Sequence, residues 1–239
     1  MAGRGSRFAQ AGFMMPKPLI DICGHPMIEY VTRNITPDCE HRFIYICQRE
    51  HLEKFALRDV LTAMSPGCEI ITIDYVTEGA ACTVLLAEKL IDNDDPLMIA
   101  NSDQFVDTDI NDYLNSMGDN DGYIMTMPGS DPKWSFIKYD EKGLVTLVRE
   151  KEVISDQATV GIYNYAKGSD FVKYAHQMID KNIRVNNEFY VAPVYNEMIS
   201  AGLKTGYRDV GKAMYGLGVP EDLQFFIDSE IGRASCRER

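Results

Sequence analysis

The 239-residue sequence lacks long apolar runs, and its basic residues are outnumbered by acidic ones. A membrane-spanning helix takes about 20 consecutive apolar residues, and no segment approaches that length. The 24 Lys and Arg residues against 36 Asp and Glu residues give a formal net charge of −12. Such a surface repels nucleic acid and acidic membranes. We therefore expect neither as a partner, and a phosphate ligand would need a local cluster of cations.

The six cysteines and four histidines show no spacing typical of a metal or disulfide centre. CxxC pairs are absent and the cysteines are spread along the chain, so we expect reduced thiols rather than a disulfide framework or a zinc site. No charged-then-apolar leader follows Met1. Together these features predict a cytoplasmic protein.

The first eighteen residues, MAGRGSRFAQAGFMMPKP, combine small residues with cations. Gly3 and Gly5 precede Arg7, and Lys17 stands between two prolines. Glycines let backbone N–H groups approach a bulky anion, while arginine and lysine side chains neutralise its charge. The segment therefore predicts a loop that holds a polyphosphate.

The residues that follow Gly5 exclude two common phosphate-binding loops. A P-loop has Lys and then Ser or Thr directly after its last glycine, whereas here Ser6 and Arg7 follow. A dinucleotide fingerprint has a third glycine where this chain has Phe8. Neither a P-loop ATPase nor a nicotinamide-dependent Rossmann enzyme fits.

Short apolar strands alternate with helical segments in the first half of the chain. The patterns predict strands at 43–47, 69–74 and 96–101, and helices at 51–64 and 80–91. Strands and helices in turn favour a mostly parallel α/β sheet covered on both faces.

From about residue 120 the pattern favours an antiparallel or mixed extension of that sheet, because strands there are joined by Gly, Pro and Asp. The predicted strands are 122–128, 134–140, 144–150 and 159–165, and the predicted helices are 170–180 and 190–201.

The domain organisation is predicted from the absence of a linker or repeat. We expect one domain over 1–230, with a nucleotide-binding half at 1–120 and an acceptor-binding half at 121–230. The last segment, 231–239 (IGRASCRER), has no hydrophobic period and resembles a vector-encoded tail, so it is excluded from the domain.

Beyond the first loop, six blocks of sequence share one order with a known family. They are LIDICGHPMIEYV (19–31), TEGAACTVLLAEKLI (77–91), PLMIANSDQFVD (96–107), VREKEVISDQATVGIYNY (148–165), NNEFYVAPVYNEMI (186–199) and GLGVPEDLQFF (216–226). With G-x-G-x-R and P-K-P before them, they resemble the nucleotidyltransferases that activate sugar phosphates, also called nucleotide-sugar pyrophosphorylases. The resemblance implies a Rossmann-like (GT-A-like) α/β three-layer sandwich with a mixed, mostly parallel central sheet.

The resemblance also implies the reaction. A nucleoside triphosphate would be joined to a phosphorylated acceptor, above all a sugar 1-phosphate, with release of pyrophosphate and with Mg²⁺ as cofactor, for surface polysaccharide precursors. Since the acceptor phosphate is already a nucleophile, catalysis needs positioning and charge neutralisation rather than an activated side chain. UTP, CTP and GTP stay open, because TEGAACT departs from the thymidylyl enzymes. The oligomeric state stays open too, a homo-oligomer included.

Arg7, Lys17 and Asp103 are the expected catalytic residues. Arg7 would steady the charge on the leaving pyrophosphate, and Lys17 the charge that develops on the α-phosphate. Asp103 follows a predicted strand, where open α/β sheets bind ligands, and a carboxylate there suits Mg²⁺. The resemblance places the family's metal aspartate at this same position.

The second metal carboxylate of the family is missing from its usual place. Gly216 stands there, so Asp209 becomes the substitute to consider. Contacts to the nucleotide are expected from the first loop and from the segment that begins at Thr77. The expected nucleotide-binding residues are Ala2, Gly3, Gly5, Ser6, Arg7, Gly79 and Asp103.

Four residues of the second half are expected to bind the acceptor. Glu150 and Lys151 resemble a Glu-Lys pair whose lysine meets the acceptor phosphate. Gly161 matches a glycine whose backbone approaches the acceptor, and Glu188 matches a carboxylate that receives sugar hydroxyls. The residues alone also allow a solvated charge pair, a strand bulge and a helix N-cap at these positions.

Three alternative functions stay open. The first is a cytidylyltransferase that acts on a non-sugar acceptor such as phosphocholine. The second is a GT-A-type glycosyltransferase, which shares the sheet and could use Asn101, Ser102 and Asp103 as its metal motif. The third is a non-catalytic subunit that keeps the fold in order to sense nucleotide sugars.

Overall fold

The computed structural model describes residue 1 and residues 6–237, which form a mixed α/β structure. The strands are β1 Asp21–Ile22, β2 His25–Pro26, β3 Ile44–Gln48, β4 Glu69–Ile73, β5 Leu97–Ala100, β6 Gln104–Val106, β7 Gly122–Pro128, β8 Ser135–Tyr139, β9 Val145–Glu150, β10 Gln157–Tyr165, β11 Thr205–Asp209 and β12 Met214–Gly216. The helices are α1 Ser6–Gln10, α2 Met27–Asn34, α3 Arg49–Lys54, α4 Leu57–Met64, α5 Ala80–Leu85, α6 Glu88–Ile91, α7 Ile110–Asn115, α8 Gly168–Asp180, α9 Val194–Ser200, α10 Pro220–Asp228 and α11 Glu230–Arg237. Within these described ranges no helix has the length and apolarity that a membrane crossing requires.

The chain divides into two compact units, each built from separate stretches of sequence. Unit 1 comprises Met1–Val76, Ser102–Asn111 and Ala213–Arg239. Unit 2 comprises Thr77–Asn101 and Asp112–Lys212. The single domain predicted over 1–230, with its two consecutive halves, stays a prediction.

Unit 1 is organised around three small strand pairs, one of them the antiparallel pair β1–β2, and the amphipathic helix α2. Strands β3 and β4 run parallel, and β6 pairs antiparallel with β12. The apolar face of α2 packs into a core that also includes Phe8, Leu19, Leu61 and Phe226. Burial of such side chains from separate stretches of chain is the main force that holds the unit together.

One asparagine connects α2 to the strand that follows the predicted metal aspartate. The Asn34 side-chain amide donates to the Val106 carbonyl at 2.8 Å, and its oxygen accepts from the Val106 N–H at 2.8 Å. Val106 lies in β6, so this pair of bonds satisfies backbone groups at that point of the strand. Asn34 thereby fixes the segment that carries Asp103.

Unit 2 contains a six-stranded sheet whose centre is β10. All nine residues of β10 are buried. The strand order is β11, β7, β10, β8, β9, and β5 also pairs with β10. Because β10 has neighbours on both edges and both of its faces are covered, even its polar side chains, Gln157, Thr159 and Asn164, are buried.

The mixed α/β class is confirmed, but the expected predominance of parallel strands is wrong for the six-stranded sheet. There only β7 and β11 are parallel, while β10 is antiparallel to β5, β7 and β8. The strands that alternate with helices at the start of the chain do not share one sheet, since β3 and β4 pair by themselves in unit 1.

Two predicted helices are interrupted. The 51–64 segment forms α3 and α4, separated at Ala56, whose φ of 51° lies in the left-handed region. The 80–91 segment forms α5 and α6. The other strands and helices lie within a few residues of their predicted positions, and Pro220 begins α10 as expected at a first helical position.

The cysteines agree only in part with the expectation of reduced thiols. Cys39, Cys47, Cys68 and Cys82 are free. Cys23 is disulfide-bonded, which corrects the expectation at that position.

We predict that Asn34→Ala lowers the free energy of unfolding by about 1–3 kcal/mol, because the buried Val106 N–H loses its partner and the Val106 carbonyl keeps only the Thr108 N–H. Urea denaturation followed by circular dichroism measures the change. Arg33→Ala, at the exposed neighbouring position on α2, is the control and should change stability much less. Equal unfolding midpoints for Asn34→Ala and wild type would show that the two hydrogen bonds do not hold this segment.

Candidate functional site

Lys17 is presented by a rigid turn of unit 1. It opens a 3-10 turn, Lys17–Leu19, and Pro16 at the preceding position has an extended backbone. Pro18 and Leu19 are buried, so the turn is anchored in the core while the lysine side chain remains 21% exposed. Prolines on both sides restrict the backbone, which fixes the origin of the flexible lysine side chain.

Asp103 accepts a hydrogen bond from Lys17, and the two side chains form an ion pair between Lys17 Nζ and Asp103 Oδ2. The Asp103 side chain is 28% exposed. Its carbonyl oxygen accepts from the Leu217 N–H at 2.8 Å, next to the β6–β12 pairing. Two of the three predicted catalytic residues are therefore brought together.

Gly218 leaves the space beside this ion pair open. A Cβ atom at Gly218 would lie 2.8 Å from Asp103 Oδ2 and 3.5 Å from Lys17 Nζ. The first distance is shorter than a non-bonded contact allows, so only glycine leaves the carboxylate undisturbed in this position. The sequence analysis did not single out Gly218, although it lies in the GLGVPED block.

Of the first loop, residue 1 and the part from residue 6 onward lie among the described residues. Ala2, Gly3 and Gly5 lie outside the described residues, as does the Ser6 side chain. Arg7 lies in α1 and is exposed. Its guanidinium has no ion-pair partner among the residues that the structure describes, and its role at a phosphate stays a prediction.

The residues around Asp103 fit a magnesium ion that takes most of its ligands from a substrate. Asp103 Oδ1 has no hydrogen-bond partner among residues 6–237, and the space next to Oδ2 is the one that a Cβ at Gly218 would fill. In the described part of the chain no three His, Cys, Asp or Glu side chains form a metal-binding group. Mg²⁺ is commonly held by one or two carboxylates together with phosphate oxygens and water, which agrees with a single aspartate.

Asp209, the substitute considered for a second metal ligand, has a structural position in unit 2. Its Oδ2 accepts from Gln157 Nε2 at 3.0 Å, and its Oδ1 accepts from the Gly211 N–H at 2.7 Å. The bond from Gly211 closes the turn after β11, and the bond from Gln157 joins Asp209 to the start of β10. The metal role of Asp209 stays a prediction.

Gly79 is required by packing within unit 2. It has a φ of +131°, and a Cβ atom there would lie 2.5 Å from the Phe189 backbone nitrogen. The two segments are also joined by hydrogen bonds from Phe189 N–H to the Glu78 carbonyl (2.8 Å) and from Ala81 N–H to the Phe189 carbonyl (3.0 Å). This close approach explains the glycine without a nucleotide, so its contact with the base stays a prediction.

Glu150 is a buried carboxylic acid at the end of β9. It is 9% exposed and accepts a hydrogen bond from the Ser135 hydroxyl, which lies opposite it on β8. Burial raises the pKa of Glu150, while the Ser135 hydrogen bond and the Lys151 charge oppose the shift and the Glu188 charge adds to it. The interpretation as a solvated charge pair is therefore wrong for Glu150.

Lys151, Tyr190 and Glu188 form a connected group in unit 2. Lys151 Nζ donates to the Tyr190 hydroxyl at 2.5 Å, and this hydroxyl donates to Glu188 Oε2. The Lys151 ammonium also lies 4.7 Å from the centre of the Tyr190 ring. The structure thus links the predicted acceptor-binding lysine and carboxylate through a tyrosine that the sequence analysis missed.

Lys151 and Glu188, the two charged residues of this group, both lie where the backbone turns. Lys151 has a φ of 56°, and its N–H donates to the Trp134 carbonyl at 3.0 Å. Glu188 follows Asn186 and Asn187, whose φ values of 50° and 63° are those of a tight hairpin turn. Glu188 is therefore a turn residue and not the helix N-cap allowed by sequence.

Gly161 lies at an irregularity of the central strand. Its φ is +82°, and the register between β10 and β7 shifts between Thr159 and Tyr163. Its carbonyl accepts from the Asn101 N–H at 3.0 Å. The bulge is thus observed, while the approach of an acceptor to this backbone stays a prediction.

We predict that Glu150 makes wild-type stability fall with rising pH. Because burial raises its pKa above the ordinary 4.5, the native state holds a proton that the unfolded chain has already lost. Between those two pKa values the free energy of unfolding decreases as pH increases.

Glu150→Gln removes this dependence, so the stability of wild type relative to the variant should decline as pH rises from 4.5. Urea denaturation at a series of pH values measures it. The exposed Glu141→Gln is the control. If the free energy of unfolding of wild type relative to Glu150→Gln increased with pH, the predicted direction would be wrong.

Many solved structures resemble this chain, among them the following three. The nucleoside-diphosphate-sugar pyrophosphorylase of Vibrio cholerae RC9 is 26% identical, with a TM-score of 0.84 over 96% of this chain and 98% of that one. A Bacillus anthracis protein assigned as a glucose-1-phosphate thymidylyltransferase is 18% identical, with a TM-score of 0.71 over 99% and 93%. The inositol-1-phosphate CTP transferase of T. maritima is 15% identical, with a TM-score of 0.74 over 99% and 93%.

The last two likenesses show the fold alone, which is that of GT-A-like nucleotidyltransferases. No curated protein sequence matches the chain significantly. The family model for nucleotidyl transferases matches residues 1–213. Since this match covers most of the sequence, the chain belongs to the nucleotidyl transferase family.

Proposed function

We propose that this nucleotidyltransferase joins a nucleoside triphosphate to a sugar 1-phosphate, releases pyrophosphate, and supplies activated sugars for surface polysaccharide in the cytoplasm. The observation that carries the proposal is the ion pair of Lys17 and Asp103 beside Gly218. The similarity to a nucleoside-diphosphate-sugar pyrophosphorylase at 26% identity over nearly the full length supports the sugar acceptor.

Unit 1 would supply the charges that act on the triphosphate. Lys17 can donate to oxygens of the α-phosphate, where negative charge develops when the acceptor attacks. Arg7 can bind the phosphates that leave as pyrophosphate, since its guanidinium fork matches phosphate oxygens. In a chain of net charge −12 such local cations decide whether an anion binds at all.

Asp103 would hold Mg²⁺ together with phosphate oxygens. The ion supplies neutralisation of phosphate charge when bound. In the substrate-free protein Asp103 keeps Lys17 oriented. The carboxylate thus positions the cation that meets the phosphate.

Unit 2 would hold the acceptor. Lys151 can bind the acceptor phosphate, and Glu188 can accept hydrogen bonds from sugar hydroxyls. The acceptor phosphate attacks the α-phosphorus, the bond from that phosphorus to the bridging oxygen breaks, and pyrophosphate carries away the electron pair. No protein side chain forms a covalent bond in this scheme.

The aromatic side chains near this group favour a polyhydroxyl acceptor over phosphocholine. A quaternary ammonium is bound by open aromatic faces. Here Lys151 already lies over the Tyr190 ring, and Arg184 lies 4.0 Å from the centre of the Phe189 ring. Phosphocholine would compete with the protein's own cations for these faces.

Pyrophosphate release tests the proposal. Each of UTP, CTP, GTP and dTTP is incubated with Mg²⁺ and either glucose 1-phosphate or phosphocholine. We expect pyrophosphate only when a triphosphate and the sugar phosphate are both present. Release with phosphocholine alone among the acceptors would replace the sugar assignment, and triphosphate binding without any release would indicate a sensing subunit.

We predict that Lys17→Ala lowers kcat by about 100-fold or more, because one fixed cation at the site of developing charge is lost. The fold should persist, since the side chain is partly exposed. Lys54→Ala, at an exposed lysine paired with Glu50 at 2.8 Å, is the control. Wild-type turnover in Lys17→Ala would remove Lys17 from the mechanism.

We also predict that Gly218→Ala lowers kcat by about 10-fold or more, because the added methyl group displaces the Asp103 carboxylate from Lys17. The free energy of unfolding should change by only about 1 kcal/mol, since the atom that must move is the end of a side chain. Gly129→Ala in unit 2 is the matched control, because its Cβ would also lie 2.8 Å from a side-chain atom, the Cβ of Ala158. Equal turnover in both variants would argue against this role of the glycine.

A further inference from the structure

We propose that Tyr190 is a positioning residue for the acceptor, whose hydroxyl group orders Lys151 and Glu188 before the acceptor binds. The inference rests on the proposed function, since it takes Lys151 and Glu188 as the residues that contact the acceptor. It adds a residue that neither the sequence pattern nor the family resemblance singles out.

The chemistry of the three groups fixes the direction of the two hydrogen bonds. A lysine ammonium only donates, so the Tyr190 oxygen must accept from Lys151. The single phenolic proton is then left for the Glu188 carboxylate. The arrangement therefore runs from a cation through a neutral hydroxyl to an anion, and each bond is assisted by a charge.

The phenol of Tyr190 stays protonated at neutral pH. Burial, the hydrogen bond to Glu188 and the negative charges of Glu188 and Glu150 all raise the pKa of Tyr190. Ionisation of Tyr190 would place a second negative charge next to Glu188. The hydroxyl can thus serve as a donor to Glu188 at neutral pH.

The backbone on which Tyr190 stands is fixed. Its neighbour Phe189 is 1% exposed, and both Phe189 backbone groups bond to the segment around Gly79. Lys151 and Glu188 are exposed and would otherwise sample many rotamers, so ordering them costs conformational entropy. A rigid tyrosine between them reduces the ordering that the acceptor must impose.

Lys151 and Glu188 can each make further hydrogen bonds while they are bound to Tyr190. A lysine ammonium has three N–H donors, and Tyr190 takes one of them. Glu188 uses Oε2 for the tyrosine, which leaves Oε1 to accept from a hydroxyl group. The group therefore fits an acceptor that carries a phosphate and a hydroxyl at two separate points.

The test uses Tyr190→Phe in the full chain, with glucose 1-phosphate and the triphosphate that supports turnover. The variant keeps the ring under the Lys151 ammonium and removes only the hydroxyl. We expect the KM for glucose 1-phosphate to rise about 10-fold and the KM for the triphosphate to stay within about 2-fold, as expected for a lost charge-assisted hydrogen bond. Tyr139→Phe, at an exposed tyrosine of β8, is the matched control.

A double-mutant cycle with Glu188→Gln provides the second readout. If Tyr190 acts through Glu188, the two substitutions together should raise the KM for glucose 1-phosphate by much less than the product of their separate effects. If the two substitutions affected this KM independently, the hydrogen bond between Tyr190 and Glu188 would not be the cause and the inference would be overturned. An equal rise in both KM values would indicate general loss of structure and would also overturn the positioning role.

Calorimetric titration of glucose 1-phosphate separates this inference from the proposed function. Pyrophosphate release by wild type with an unchanged acceptor KM and affinity in Tyr190→Phe leaves the function standing and overturns the inference. A wild-type chain that binds no glucose 1-phosphate overturns both. Weaker binding in Tyr190→Phe supports the inference even if no tested triphosphate is turned over.

Discussion

The ion pair between Lys17 and Asp103 is the interaction on which the candidate nucleotide site of unit 1 depends. The chain is strongly acidic, and a lone exposed lysine would be screened by water and salt. Partial burial strengthens the interaction between the two charges and keeps the ammonium in one place. A phosphate that arrives there meets a cation whose position is already determined.

Three separate stretches of unit 1 build this pair. The proline-flanked turn supplies Lys17, the residue before β6 is Asp103, and the segment after β12 supplies Gly218. The β6–β12 hydrogen bonds bring the last two together, and the Asn34 side chain holds β6 from the side of α2. The charge arrangement is therefore a consequence of strand pairing between residues more than 100 positions apart in sequence.

This long-range pairing marks the limit of what the sequence predicts. Lys17 and Asp103 could be predicted because each has a local signal, a proline-flanked lysine and a polar end to an apolar strand. Gly218 could not, because its role is visible only once β12 lies against β6. Tyr190 lay inside a recognised block, but its partner Lys151 is 39 residues away and only the fold brings them into contact.

The difference between local sequence signals and long-range pairing also separates the correct fold predictions from the wrong ones. Strands β3 and β4 were predicted within a residue because a short run of β-branched and aromatic side chains decides them locally. The direction of β5 depends on β10, some 60 residues further along, and the alternation of strands and helices contains no information about it. The break at Ala56 lies within a continuous helical pattern, so no local signal marks it.

The ammonium groups of Lys17 and Lys151 are held in place by different contacts. Lys17 is neutralised directly by a carboxylate, so a phosphate must share or replace that partner, and Asp103 then remains as a negative charge that a divalent cation can compensate. Lys151 is separated from Glu188 by a neutral phenol, so its charge is oriented without being cancelled at contact distance. A direct pair suits a ligand that brings its own metal, whereas a bridged pair suits one that brings a phosphate and hydroxyl groups alone. The charges of the two lysines are thus held in different ways, each within its own unit.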